Sequence, residues 1–477
     1  MTGSPYLFAL AACCGLAAAN VARVGPLTGL LVVAAVCGAS VVGRRLPRAA
    51  LVAFALAAGG WIWGSARLEV LDRSFLAARI GTAQRAHAVV TGPARVGRFD
   101  VRVPATVSAW GEAHFHEAVL LKLPRGRAPP QGAIVELVGV LAAPSDHERT
   151  WLRRHGVHAV LRASTWRVVG RRGGLGGIAD RLRDRLGASV AVGLGGERKA
   201  LLEGVVLGDD GGLSEGLRDR FRASGLYHLL AVSGQNVALV AGGALLLAWV
   251  VGIPRLFAEI GALIAIAAYV LAVGAQPSVV RAGIAGALGS LAWLTARARD
   301  RWYFLLLGGI ALLGWNPYTL LDPGFELSFA AVASIFVLAP RIRRWLEGYP
   351  MPDRLREVVA ISAACGVATA PIAWLHFHAI ALLTIPANAL AAPVVVPLLG
   401  LALAAAAVAP VSTGAAGALA WLNGWCAAYL AGCARLIGAV PGAEIASTRA
   451  LLVLLAGVLL VAAYAWPRWQ LSSNRPT

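Results

Sequence analysis

The sequence predicts a polytopic α-helical membrane protein carrying one small soluble β-domain. Three observations lead there. First, 58% of the 477 residues are hydrophobic and only 14% are charged, against about 25% charged in an average soluble protein. A soluble core stops growing at roughly 250–300 residues, and a disordered chain has the opposite composition. The mean hydropathy of +0.69 therefore describes a chain that lives in lipid. Second, apolar runs near the ~20 residues needed to cross a bilayer recur at both ends of the chain. Third, the stretch between them, 66–170, changes to short alternating segments separated by Gly and Pro.

The N-terminal segment, 1–65, holds apolar runs at 6–22, 27–42 and 49–63. Arg44, Arg45 and Arg48 lie between the second and third. The positive-inside rule places that loop in the cytoplasm, so the third span delivers the next segment to the extracytoplasmic face.

Within 66–170, strands are expected at 86–90, 99–103, 118–123, 134–141, 157–162 and 166–169. Five or six short strands in so little chain suggest a small β-barrel, with an OB-type fold a natural candidate. The segment carries 15 Arg and Lys against 8 Asp and Glu. Arg95, Arg98, Arg102, Lys122, Arg125 and Arg127 are the side chains expected on a binding groove.

Residues 171–225 read as a Gly/Arg linker followed by amphipathic helices. Apolar residues at 178, 182 and 186 share one helical face. Arg181, Arg183 and Arg185 would suit a helix lying on an anionic membrane surface. A second helix spans 197–207, ended by Gly208, and Ser214 caps a third that Gly225 closes. From 226 to 470 the chain is nearly all membrane, with spans expected near 227–251, 258–274, 278–296, 302–314, 324–340, 357–375, 415–438 and 449–466. Residues 471–477 form a short tail. The run at 379–410 holds Pro386, Pro393 and Pro397 and is too long for one crossing. It is expected to break into two short spans, or one span and a re-entrant piece beside a cavity.

Polar residues concentrate at the start of one span: His228, Ser233, Gly234, Gln235 and Asn236. In lipid such groups are costly unless they face a water-filled path, a partner or each other. Arg281, Asp322, Glu326, Ser328 and Asn388 add to the set. These ten are the expected channel-lining residues, and Arg281 with Asp322 or Glu326 would make a buried ion pair. No catalytic residue, metal ligand or cofactor is expected. The six cysteines all lie in apolar runs, and there is no P-loop pattern for an ATPase. The net charge of +19 points to anionic partners, membrane lipids or nucleic acid.

The stretch Gly204–Gly242 (GVVLGDDGGLSEGLRDRFRASGLYHLLAVSGQNVALVAG) closely resembles the signature of ComEC-type competence proteins. Pro277–Gly286 (PSVVRAGIAG), Leu320–Phe329 (LLDPGFELSF), Leu382–Pro397 (LLTIPANALAAPVVVP) and Trp151–Ala159 (WLRRHGVHA) resemble further family segments in the same order. The resemblance implies passage of single-stranded DNA across the inner membrane during natural transformation, with the OB-like domain presenting DNA outside. An OB fold binds a strand with basic side chains and stacking aromatics, for which Phe99, Trp110, Phe115, Trp151 and Trp166 are the candidates. DNA-receptor and cytoplasmic motor proteins are implied as partners. The sequence leaves self-association into a homo-oligomer open.

Two departures matter. Many members read Ser-Gly-Leu-His where this chain has Ser233-Gly234-Gln235-Asn236, so residue 236 cannot relay a proton. Many also end in a metallo-β-lactamase-like domain, which is not expected here; a nuclease, if needed, would be a separate protein. Two other functions fit the same residues. One is transport of a different anionic polymer or lipid-linked substrate. The other is an intramembrane hydrolase using His228 and Ser233, though residues five apart on a helix sit roughly 140° off a common face.

Overall fold

The protein is described by a computed structural model covering residues 4–25, parts of 27–38, and 48–97, 99–126, 128–274, 276–294, 300–449 and 452. Arg44, Arg45, Arg98, Arg127, Arg297 and Arg299 lie outside the described residues, as do nearly all of the expected span at 449–466 and part of that at 27–42. The chain divides into two compact units. One comprises 1–213, 229–326 and 398–425, the other 214–228, 327–397 and 426–477.

In the first unit, α1 (Ser4–Ala18) packs along α2 (Arg48–Asp72). Small residues permit the approach: a Cβ on Gly60 would come within 2.8 Å of the Ala12 carbonyl, and one on Gly64 within 2.9 Å of Ala19. Such glycines let helix backbones close without a hydrophobic driving force in lipid.

The sheet domain follows. It contains β1 (Ala83–Val90), β2 (Arg95–Val96), β3 (Asp100–Trp110), β4 (Ala113–Pro124) and β5 (Ala133–Ala142). Helix α3 (Asp146–Arg154) intervenes before β6 (Val160–Arg171). The strand order is β1-β5-β6-β4-β3-β2, and β1 also pairs with β3. The pairings thus run in a cycle through five strands, with β4–β6 parallel and the rest of the cycle antiparallel. The two strands expected at 157–162 and 166–169 are one strand, β6, and α3 was not legible as a helix. The core obeys the two-residue period of a pleated strand: Val101, Val103, Ala105 and Val107 of β3 and Val119, Leu121 and Leu123 of β4 all turn inward.

Helix α4 (Gly174–Val190) corrects one expectation. Arg183 is buried with Asp180 and does not join Arg181 and Arg185 on a free cationic face, while Ile178 is exposed. Arg172 holds Asp180 through two hydrogen bonds of 2.6 and 2.8 Å. Next comes α5 (Gly196–Leu207), closed by Gly208 at φ +71°. That left-handed position is open to glycine at little cost.

In the second unit, α6 (Glu215–Ala223) starts at Ser214, whose side chain accepts from the Leu217 amide, as expected. The first unit resumes with α7 (Gly234–Val250), α8 (Arg255–Val273), α9 (Pro277–Leu294) and α10 (Arg301–Trp315). Helix α11 (Pro323–Val337) and α12 (Ala339–Trp345) follow. In the second unit lie α13 (Asp353–Phe377) and the strand β7 (Ile380–Ala381), which pairs with β8 (Glu444–Ile445). Helix α14 (Thr384–Val408) and α15 (Thr413–Gly438) complete the described chain.

The expected break in 379–410 is not found. Thr384–Val408 is one helix with Pro393 and Pro397 inside it. At 25 residues it is about 38 Å long. Pro386 falls in its first turn, where the missing N–H has no intrahelical partner to lose. Among the described residues four helices are long and apolar enough to cross a membrane, and α11 with the helical segment 339–348 forms a further pair bent by 45°.

Candidate functional site

Two features of the first unit bear on function, and α3 joins them. The first is a row of cations on the outer face of the sheet. Arg95 of β2 stands opposite Arg102 of β3, Arg102 opposite Lys122 of β4, and Lys122 opposite Arg162 of β6. Strands lie about 4.8 Å apart, so the row is about 14 Å long. Three of these were expected from the sequence. Arg162 was missed, because only the parallel β4–β6 pairing brings it into register. Arg125 lies at the end of β4, its guanidinium 3.5 Å from the Gly97 carbonyl.

A carboxylate interrupts the row. Glu148, on α3, accepts from Arg102 at 2.7 Å and from Lys122 at 3.2 Å, with Ser145 donating at 2.8 Å. Partial burial opposes its ionisation. The hydrogen bonds from Ser145 and Lys122 and the charges of Lys122 and Arg102 outweigh that and hold its carboxyl below the usual range.

The second feature is a cleft of about 560 Å³ where the end of α3 meets the turn between α10 and α11. Trp151 and His155 stack with ring centroids 4.3 Å apart. Arg154 donates to the Leu321 carbonyl at 2.9 Å, and the Asn316 amide donates to the Arg154 carbonyl at 2.9 Å. Asp322 caps α11 by accepting from the Gly324 amide at 2.7 Å, and its other oxygen lies 3.9 Å from His155 Nε2. Nearby, Asp72 at the end of α2 gathers Arg23, Arg153 and Tyr318 at 2.7–3.0 Å. The segment Trp151–Ala159 and the Asp322-Pro323-Gly324 helix start, far apart in sequence, are therefore bound to each other.

The polar residues at the start of α7 do something different. Ser233 donates to Asn236 Oδ1 at 3.1 Å. Asn236, 5% exposed, donates to the Val205 carbonyl at 2.8 Å and to Tyr269 at 3.2 Å, while Tyr269 donates to the Val206 carbonyl at 2.7 Å. Arg183 completes the arrangement by donating to the carbonyls of Leu207, Ala272 and Val273 at 3.2–3.3 Å. The final carbonyls of a helix have no partners of their own, and a cation suits the negative end of the macrodipole. Asn236, Tyr269 and Arg183 thus tie the C-terminal turns of α5 and α8 to α4 and α7. In this arrangement Asn236 is buried and hydrogen-bonded within the protein.

Of the other expected lining residues, Gln235 is exposed. Gly234 admits the Arg281 side chain beside it, and Gly308 of α10 does the same from the other side, with Arg281 Cγ 3.3 Å from the position its Cβ would take. Glu326 is half-buried in the first turn of α11. His228, Ser328 and Asn388 belong to the second unit. There the His228 ring bonds the Gly225 carbonyl at 2.8 Å, and Asn388 donates to Ser362 at 3.2 Å. Of the expected stacking aromatics, Trp110 is 2% exposed and belongs to the core, and Phe115 and Trp166 pack against it. Phe99 and Trp151 are the exposed ones, at 83% and 54%.

A family model described as "Competence protein" matches residues 205–471, more than half of the chain. The chain belongs to the competence protein family. Among curated proteins it is similar to "ComE operon protein 3" of Bacillus subtilis (strain 168), 30% identical over 196 residues, which is 40% of this chain and 24% of that protein. It is also similar to "Uncharacterized protein YcaI" of Escherichia coli (strain K12), 28% identical over 214 residues, 41% of this chain and 27% of that one. The matches span about a quarter of the length of these relatives. No solved structure matches the chain. The signature read from Gly204 to Gly242 falls almost wholly within the competence match, as do the segments at 277–286, 320–329 and 382–397. With its apolar helices, this ComEC-type competence protein is a multi-pass membrane protein.

Proposed function

We infer that this competence protein is an inner-membrane channel component that takes up single-stranded DNA during natural transformation, with an OB-like barrel presenting the strand on the extracytoplasmic face. The observation that carries the reading is the cation row Arg95–Arg102–Lys122–Arg162, joined through α3 to the helix-start motif at Asp322. The strand cycle β1-β3-β4-β6-β5 suits a five-stranded OB-type barrel, a fold that binds oligonucleotides. A basic outer face that holds phosphates suits a strand of any sequence.

Sidedness rests on charge and aromatic placement. Tyr6 bonds Asp300, so the first residues of α1 lie by the start of α10. At the opposite ends of these helices, Asn20 donates to the Pro317 carbonyl, Trp63 to Gly314 and Arg67 to Trp315. The arginines Arg48 and Arg301 mark the starts of α2 and α10, and the positive-inside rule assigns that end to the cytoplasm. The Trp-rich end, where interfacial aromatics belong, is the end that leads into the sheet domain.

The direct test is binding of a labelled single-stranded oligonucleotide to the full chain in lipid nanodiscs across a salt series. Tight binding at low salt that weakens steeply as salt rises is the expected result, since each phosphate contact releases counterions. No binding at low salt would reject DNA as the substrate and favour another anionic polymer.

A further inference from the structure

The cleft between α3 and the α10–α11 turn has no part in holding the sheet together, and its lining sets aromatic and polar groups beside an apolar floor. Trp151 is 54% exposed and Trp315 is 73% exposed, although both line the cleft. Trp315 ends α10 at the interfacial level, where exposed aromatics belong, whereas Trp151 stands open on α3 of the sheet domain. Trp151 already stacks on His155, and the Arg67 guanidinium lies 5.4 Å from the Trp315 ring centroid. A volume of about 560 Å³ lies within the range of small-molecule sites, about 300–1,000 Å³.

We propose that this cleft seats one nucleotide of a single strand, its base stacked on Trp151 or Trp315 and its phosphate toward Arg67 and Arg154. The inference rests on the DNA-uptake reading and adds to it the place where the strand leaves the sheet domain. Continuity with the cation row supports this occupant over a lipid chain. Helix α3 has 9 residues, about 13 Å. Glu148 at its start sits in the row, and Trp151, Arg154 and His155 at its end line the cleft. A strand lying along the row is thereby led to the cleft. Asn316 and Tyr318 are spent on Arg154, Asp72 and the turn itself; among the lining groups a lipid chain would have no use for Asp322. One Asp322 oxygen is taken by its helix cap. The other repels phosphate and is placed to accept from an exocyclic amine, which orients the base inward and the phosphate outward.

The test uses the full chain in nanodiscs and a single-stranded oligonucleotide carrying 5-iodouracil, which photo-crosslinks to aromatic rings it stacks on. Crosslinked peptides are mapped by mass spectrometry, and affinity is measured for Trp151→Ala, Trp315→Ala and Trp151→Phe. The expected result is crosslinking at Trp151 or Trp315 and a loss of about 5-fold or more for alanine at the stacking ring. Trp151→Phe should retain most of the affinity, and an unchanged melting temperature would separate lost stacking from lost folding. Crosslinks confined to the sheet domain, with unchanged affinity in both alanine variants, would overturn this site and leave DNA binding standing. Failure of the unmodified chain to bind at low salt would overturn the uptake reading itself, and this site with it. A diazirine-bearing lipid analogue that crosslinks within the cleft and is not displaced by the oligonucleotide would also overturn it.

Discussion

Replacing Glu148 by Gln should make the protein bind single strands more tightly, although it removes two ion pairs. The carboxylate lies 2.7 Å from Arg102 and 3.2 Å from Lys122, so a phosphate arriving at either cation must displace it. Both pairs are partly exposed, and such a pair contributes about 0–1 kcal/mol. Relief of the competition is then worth about 1 kcal/mol, or about 5-fold in affinity. The salt dependence should change more distinctively. Each phosphate contact on a single strand adds about 0.7 to the slope of log K against log salt, so freeing two cations steepens it by up to about 1.4. Binding of a labelled oligonucleotide by the full chain at four or five salt concentrations measures both quantities. An equal slope and equal affinity in a folded Glu148→Gln protein would refute the role given to the row. The pH dependence has a defined sign. The carboxyl is held below its ordinary range, so its contribution to stability is present above the unfolded-state value, about 4.3, and fades as pH falls through the depressed one. Between pH 6 and 8 the difference between wild type and variant should be flat.

Three other outcomes are expected. Asn236→Leu removes the bonds to the Val205 carbonyl and Tyr269 and should lower stability by about 1–3 kcal/mol, read as a fall in melting temperature in nanodiscs; an unchanged melt would remove its packing role. Arg183→Met leaves the carbonyls of Leu207, Ala272 and Val273 without that donor and should loosen the joint between α5 and α8, seen as faster proteolysis near Gly208. Arg281→Leu and Glu326→Leu should each lower transformation without removing the protein from the membrane; normal transformation by both stable variants would take these residues out of the strand's path.

The membrane class, the place of the sheet domain and the family were legible in the amino-acid sequence, because each depends on local quantities. A bilayer needs about 20 apolar residues in a row, and a half-buried strand alternates with period two. The Ser214 cap and the Gly208 and Gly225 stops were legible for the same reason, since a cap acts within one turn. The error at 379–410 was also local: proline was read as a break, whereas Pro386 falls in the first turn and Pro393 and Pro397 are carried inside one helix. In membranes neighbouring groups can satisfy the carbonyls such prolines free.

What the sequence by itself determined is the kind of molecule and the chemical inventory of its surface. Tertiary structure decided which members of that inventory act together. Arg162 joined the cation row only through a parallel pairing across some 40 residues of chain. Arg183 and Asn236 carry groups that look functional in a sequence, yet both are buried and bonded to helix-end carbonyls. Trp110 and Trp151 are the same residue type in the same domain, and only packing sent one to the core and left the other at the mouth of the cleft. The physical reason is that a polar or aromatic side chain is neutral about its own use. Its role is set by which unsatisfied backbone groups, charges and open surfaces the fold places within a few ångströms of it, and those neighbours come from distant parts of the chain.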